Sequence, residues 1–249
     1  MKKILLFTQI FLFSSGLIVH AQTAIEIVMK SDDLMQGKSA ISTMTMEIVR
    51  PTWKRSVTFK NWGKGRELSL TLITAPARDK DQSFLKIKNE MWSWNPSINR
   101  IIKLPPSMLS QGWMGSDYTN DDILKESSIV YDYNHKILKE EDYLGYKCYV
   151  IEFMPKADAA VVWGKIVAYI TKGSYFNLKS EFYDEEGVLV KTHLSSNIKK
   201  MDDREIPTYM EIIPADNPGN KTIVTIDQID FDVDIQDNFF SQQNMKRVR

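Results

Sequence analysis

The sequence predicts a mainly β chain whose antiparallel strands form a barrel or a strongly curved sheet. Two observations carry this. From Met44 onward, short runs alternate apolar and polar residues, the period of a half-buried strand. Polar turns such as Asn61–Glu67, Asp184–Gly187 and Pro214–Asn220 join the runs, and the long crossover helices that a parallel sheet requires are missing.

The elements follow in order. Thr23 to Lys38, TAIEIVMKSDDLMQGK, reads as a helix. Ile25, Val28, Met29, Leu34 and Met35 approximate an apolar stripe, and Gly37 is a stop signal. Met44, Met46 and Ile48 then alternate with Thr45, Glu47 and Val49. Trp53 to Trp62 is a second strand, with Trp53, Val57 and Phe59 in one phase, and Leu68, Leu70 and Leu72 mark a third. Shorter runs begin at Phe84, Met91 and Ile98. The rhythm breaks from Pro105 to Glu126, where Thr119 to Lys125 reads as a short helix with Thr119 as N-cap. Strand rhythm resumes through Ile129–Tyr143, Lys147–Met154, Trp163–Thr171, Tyr175–Tyr183, Val188–Ser196, Ile206–Ile213 and Thr222–Ile235. The ending DNFFSQQNMKRVR reads as a helical turn docking Phe239 and Phe240. The total is about eleven strands at meander spacing. No linker or internal repeat divides them, so residues 22–249 are expected to form one domain.

The first 21 residues carry a different signal. Lys2 and Lys3 precede an interrupted apolar stretch, and Val19-His20-Ala21 offers a small-residue cleavage site. Residues 1–21 therefore read as a secretory signal peptide cut after Ala21. No later stretch is apolar for long enough to span a bilayer, so no stable membrane insertion is expected after cleavage. Loss of Lys2 and Lys3 takes the basic count from 32 to 30 against 32 acids. A nearly neutral chain has no electrostatic drive towards nucleic acid. Cys148 is the only cysteine, which excludes an intramolecular disulfide and, far from the cut, a lipidated N-terminus. A periplasm is the compartment these facts fit.

Catalytic and metal signatures are missing. The chain has no G-x-S-x-G, HExxH, P-loop or G-x-G-x-x-G pattern. His135 and His193, the histidines beyond the leader, have no second ligand at metal spacing. Both read as ordinary strand side chains, and Cys148 reads as a small buried hydrophobe. The acidic run DFDVDIQD lacks the glycine and glutamate of a calcium loop. Strand alternation explains it, with Ile229, Phe231, Val233 and Ile235 on one face. The expectation is a protein without enzymatic activity, metal or cofactor.

Soft apolar residues are plentiful. Eleven methionines remain beyond Met1, with six tryptophans and ten tyrosines. Met44 and Met46 adjoin along one strand, Met91, Trp92 and Trp94 cluster, and Trp113 with Met114 lies in the irregular interval. Methionine suits surfaces that accept apolar ligands of varied shape. Composition does not distinguish a filled core from a ligand cavity. If there is a cavity, Met44, Met46, Ile48, Leu68, Leu70, Leu72, Trp92 and Trp94 are the expected wall.

Several stretches together resemble one family. The opening helix, KNEMWSWNPSINRIIKLPP, GSDYTNDDI, GYKCYVIEF and FDVDIQDNFFSQQNMKR are similar to the LolA/LolB-like outer-membrane lipoprotein-sorting proteins. The most specific part is Gly115-Ser116-Asp117-Tyr118 followed by Asp122-Ile123. The resemblance implies an incomplete, open antiparallel β-barrel with short helices over its concave face. It also implies a carrier of lipoprotein acyl chains or another lipid, with an inner-membrane exporter and an outer-membrane acceptor as partners. A sensor or exporter accessory subunit of the same fold is the alternative. Trp113, Met114, Gly115, Ser116, Asp117, Tyr118, Asp122 and Ile123 are then expected to form a lid. Asp117 and Thr119 would serve loop and cap hydrogen bonds, and Asp121 and Asp122 the favourable first turn of a helix.

Overall fold

Thr23 starts the first helix as the sequence predicts. Its hydroxyl accepts from the Glu26 backbone N–H, and the Glu26 carboxylate accepts from the Thr23 N–H, a reciprocal capping box. Such a cap is worth about 1 kcal/mol. Helix α1 runs over Ala24–Gln36 and ends at Gly37, whose φ of 60° suits a residue without Cβ. Ile27 and Val28 are fully buried under it.

The computed structural model describes residues 22–125 and 129–248. The expected signal peptide, residues 1–21, lies outside the described residues.

One antiparallel sheet of thirteen strands dominates. Its first half comprises β1 (Ser39–Arg50), β2 (Trp53–Lys64), β3 (Leu68–Ala75), β4 (Ser83–Ile87), β5 (Glu90–Asn95) and β6 (Arg100–Lys103). Its second half comprises β7 (Tyr133–Tyr143), β8 (Tyr146–Pro155), β9 (Lys165–Thr171), β10 (Asn177–Tyr183), β11 (Leu189–Met201), β12 (Arg204–Pro214) and β13 (Lys221–Phe231). Each half is a simple meander, and β1 pairs with β13 to join them. Strands β6 and β7 are the two edges. The expected count of about eleven falls short because β4, β5 and β6 are each complete strands of five, six and four residues. Runs that short contain barely two alternations, so their number is hard to read from a pattern.

The topology has one consequence for function. The edge strands β6 and β7 are consecutive in sequence yet lie at opposite ends of the sheet. Of the connection between them, the described residues 104–125 form a strap over the inner face, where Trp113 packs against β1 and β2. Antiparallel closure into a full barrel is replaced by an open sheet with a strap.

Both faces of the first half are apolar, for different reasons. On the inner face Met46, Ile48, Val57, Phe59 and Ile73 pack with Trp113 of the strap. On the outer face Trp62, Leu70, Leu72, Leu85 and Trp94 pack with Ile235, Phe240, Met245 and Val248. The last four belong to the chain end, where a 3-10 turn at Asp237–Phe239 and helix α3 (Gln242–Met245) dock as expected. The DFDVDIQD run does not stay on one strand face. Strand β13 ends at Phe231, and Asp232 has a φ of 53°. Ile229 and Phe231 pack with Ile206, whereas Val233 and Ile235 join the outer cluster. Asp232 fixes this reversal, accepting from the Lys38 N–H at 2.7 Å and from Arg204 at 3.0 Å.

Candidate functional site

The inner face encloses a cavity of about 510 Å³, within the range of about 300–1,000 Å³ usual for small-molecule sites. Alternate residues along successive strands supply its wall, as the two-residue strand period requires. Met44 and Met46 come from β1, Phe59 and Asn61 from β2, Ser69 and Thr71 from β3, and Phe84 from β4. Across from them stand Phe153 of β8, Ile166 and Ala168 of β9, Phe182 of β10, and His193 of β11. Helix α1 covers one side through Val28, Leu34 and Met35. Five methionines (Met35, Met44, Met46, Met91 and Met210) line the space, which gives it walls able to repack around different apolar shapes.

The strap forms the other side. Its shape depends on Gly112, where a Cβ would meet the Ser116 carbonyl oxygen at 2.1 Å, and on Gly115, whose φ is 81°. Trp113 inserts between Phe59 and Phe84, with both ring centroids 5.3 Å away in edge-on geometry. Arg50 reaches Asp117 at 3.0 Å and the Gly115 carbonyl at 3.1 Å. The Thr222 hydroxyl donates to the same Asp117 carboxylate at 2.7 Å. Arg55 donates to the Met114 carbonyl at 3.1 Å. These contacts tie the strap to β1, β2 and β13.

Helix α2 (Asn120–Lys125) ties it to the other half of the sheet. Thr119 caps this helix, accepting from the Asp122 N–H at 3.0 Å while Asp122 accepts from the Thr119 N–H at 2.8 Å. Asp122 has further duties. Its carboxylate accepts from Lys191 Nζ at 2.5 Å and from the Trp163 indole N–H at 3.2 Å. The Asp122 and Lys191 side chains are only 5% and 4% exposed, so this is a buried ion pair. Lys191 Nζ also lies 4.7 Å from the Trp163 ring centroid and 5.2 Å from that of Tyr118.

The expected residues divide between two faces. Met44 and Met46 line the cavity. Ile48 shares their face but is sealed beneath Trp113. Leu68 borders the cavity while packing with the outer cluster. Leu70, Leu72, Trp92 and Trp94 are corrections, because they pack into the outer cluster. Their alternation is real, but the C-terminal segment covers the outer face and makes that phase apolar too. Within the strap, Trp113, Tyr118, Asp122 and Ile123 line the cavity. Met114 packs beside them, Gly115 and Ser116 shape the backbone, and Asp117 is the Arg50 partner. Sequence reasoning missed Asn61, Ser69 and Thr71, Trp163, and Lys191 with His193. A lysine within the apolar run Val188–Leu194 was the available signal for the last pair.

His193 is more than an ordinary strand side chain. Its buried Nε2 has no hydrogen-bond partner among the described residues, and its ring lies 4.4 Å from that of Phe182. Burial pushes the imidazole well below its ordinary value, and nearby Lys191 adds to the shift. The unfolded chain therefore binds a proton that the folded chain resists, so stability falls as pH drops below the ordinary histidine value of 6.5. His193→Phe is expected to lose less stability than wild type between pH 7.5 and pH 5, read from urea midpoints at both values. An equal loss would assign the effect to other groups, His135 among them, whose value burial also lowers. Cys148 is fully buried, and burial raises its thiol value, which leaves it inert.

No helix among the described residues is long and apolar enough to cross a membrane. No curated protein matches the chain. Solved structures share its fold, among them three at 22–24% identity. A DUF1329 family protein from Desulfovibrio piger has a TM-score of 0.81 and 22% identity, covering 89% of this chain and 97% of its own. A LolA superfamily protein from Nitrosomonas europaea has a TM-score of 0.76 and 24% identity over 90% and 100% of the two chains. A domain from Vibrio parahaemolyticus, provisionally named as an outer membrane lipoprotein-sorting protein, has a TM-score of 0.75 and 23% identity over 90% and 98%. A family model whose description reads "-like: Uncharacterized protein" matches residues 65–247. The chain belongs to that family and has the LolA-like fold of these three structures.

Proposed function

We propose that this protein is a carrier or chaperone that shields the acyl chains of a lipoprotein, or of another lipid, on the way to the outer membrane. One observation carries the reading: a methionine-rich, mostly apolar cavity lies beneath a strap held by side-chain contacts. Each exposed methylene costs about 0.8 kcal/mol in water, so acyl cargo needs such a space. The strap is held largely by polar groups and one inserted tryptophan, so a shift of the strap can admit and release cargo without covalent chemistry. The reading needs no catalytic group, metal or cofactor. A periplasmic location follows from the expected signal peptide, with an inner-membrane exporter and an outer-membrane acceptor as the partners of such a carrier.

The test is mass spectrometry of the exported protein purified without detergent. Lipid or acylated peptide at near-stoichiometric amount is the expected result. Protein that never carries lipid and does not bind an added apolar probe would overturn the proposal.

A further inference from the structure

The charged side chains of the cavity wall are already engaged. Asp32 pairs with Arg66 at 2.5 Å, and Arg66 also reaches Asp33 at 2.8 Å. Asp122 pairs with Lys191, Lys125 contacts Asp121 at 3.2 Å, and Lys86 donates to the Ile123 carbonyl at 3.2 Å. An anion entering this space would give up its hydration while the wall cations keep their present partners.

The wall does offer an uncharged donor. Asn61 lines the cavity from β2, opposite Thr71 of β3 in the strand register. Its side-chain oxygen accepts from the Ser69 hydroxyl at 2.9 Å and the Thr71 hydroxyl at 2.8 Å. With the oxygen held by two hydroxyls, the amide NH₂ is the part left to donate. The two hydroxyls thus orient a neutral donor on a mostly apolar wall, which also carries the engaged charges above and other uncharged polar groups such as Ser42 and Ser180. His193, whose imidazole burial keeps neutral, stands elsewhere on the same wall.

We propose that the cavity selects the uncharged, carbonyl-bearing part of an acylated amphiphile, an ester or amide next to its chain, and that Asn61 donates to that carbonyl. Free fatty acids and phosphate-headed single-chain lipids are disfavoured. This rests on the carrier reading and adds the chemical class of the cargo.

The experiment is displacement of the neutral fluorescent probe N-phenyl-1-naphthylamine from the full chain by three competitors of equal chain length. These are 1-monopalmitoylglycerol, palmitate and 1-palmitoyl lysophosphatidate, each below its aggregation threshold at pH 7.5. The glyceride is expected to compete at least roughly tenfold better than either anion, and Asn61→Leu to weaken the glyceride roughly five- to tenfold once its competition is referred to the probe affinity measured for that variant. Asn61→Asp, an acceptor where a donor stood, is expected to weaken it at least as much. Should Asn61→Leu fail to fold, the wild-type comparison decides alone. Palmitate or lysophosphatidate competing as well as the glyceride overturns the proposal, as does a folded Asn61→Leu that binds glyceride like wild type. A wild-type protein that binds neither probe nor any competitor overturns the carrier reading itself. A diacylglyceryl-cysteine peptide that outcompetes the glyceride identifies the ester as a lipoprotein's, and the reverse order identifies it as a free glyceride's; both orders satisfy the proposal.

Discussion

Lys191→Met is expected to lower the unfolding free energy by about 3–5 kcal/mol, the usual loss when one partner of a buried ion pair is removed. The Asp122 carboxylate, 5% exposed, would remain buried with the Thr119 and Trp163 donors as its partners among the described residues. Methionine fills nearly the same volume among Tyr118, Trp163 and Phe182, so little of the loss comes from a cavity. The double variant Asp122→Asn with Lys191→Met removes the stranded charge and is expected to recover a substantial part. Urea unfolding of the three proteins at pH 7.5 checks this. A loss under about 1 kcal/mol for Lys191→Met would mean that water screens the pair as at a surface. Because Asp122 also caps helix α2, hydrogen exchange should rise first in residues 109–124 of the strap.

The second large effect separates the two faces of the sheet. Leu70 is fully buried between β3 and the C-terminal segment. Leu70→Ala is expected to cost about 2–5 kcal/mol and to leave affinity for an apolar probe within a factor of about two. Met44 lies on the opposite face, partly exposed to the cavity. Met44→Glu is expected to weaken probe binding roughly tenfold or more, because a charge then faces the ligand. Its stability cost should be smaller than that of Leu70→Ala, since the carboxylate can keep water in the open space. Probe titration beside urea unfolding distinguishes the pair. Equal loss of binding and stability in Met44→Glu would make Met44 part of the packed core.

These two residues also show how far the sequence reaches. Both lie in runs of strict alternation, and alternation locates a strand correctly wherever it is long enough. Helix α1 and its Gly37 stop were legible because they depend on neighbours within four residues. So was the short helix opened by Thr119, and so were the long strands of the second half.

Which phase of a strand meets the cavity was not legible. Leu70 and Met44 look alike in sequence, and only the docking of Phe240, Met245 and Val248 onto β3 and β4 decides that the leucine is outer core. The reversal at Asp232 was hidden for the same reason. It depends on Lys38 and Arg204, distant in the chain. The node of Asp122, Lys191 and Trp163 joins the strap to β11 across 69 and 41 residues of sequence. Local pattern thus determined the strands, the helices and the irregular strap of this protein. The tertiary structure alone decided which face is enclosed and which charges are paired inside it, because burial and pairing are properties of what packs against a residue, and the packing partners come from the far end of the chain.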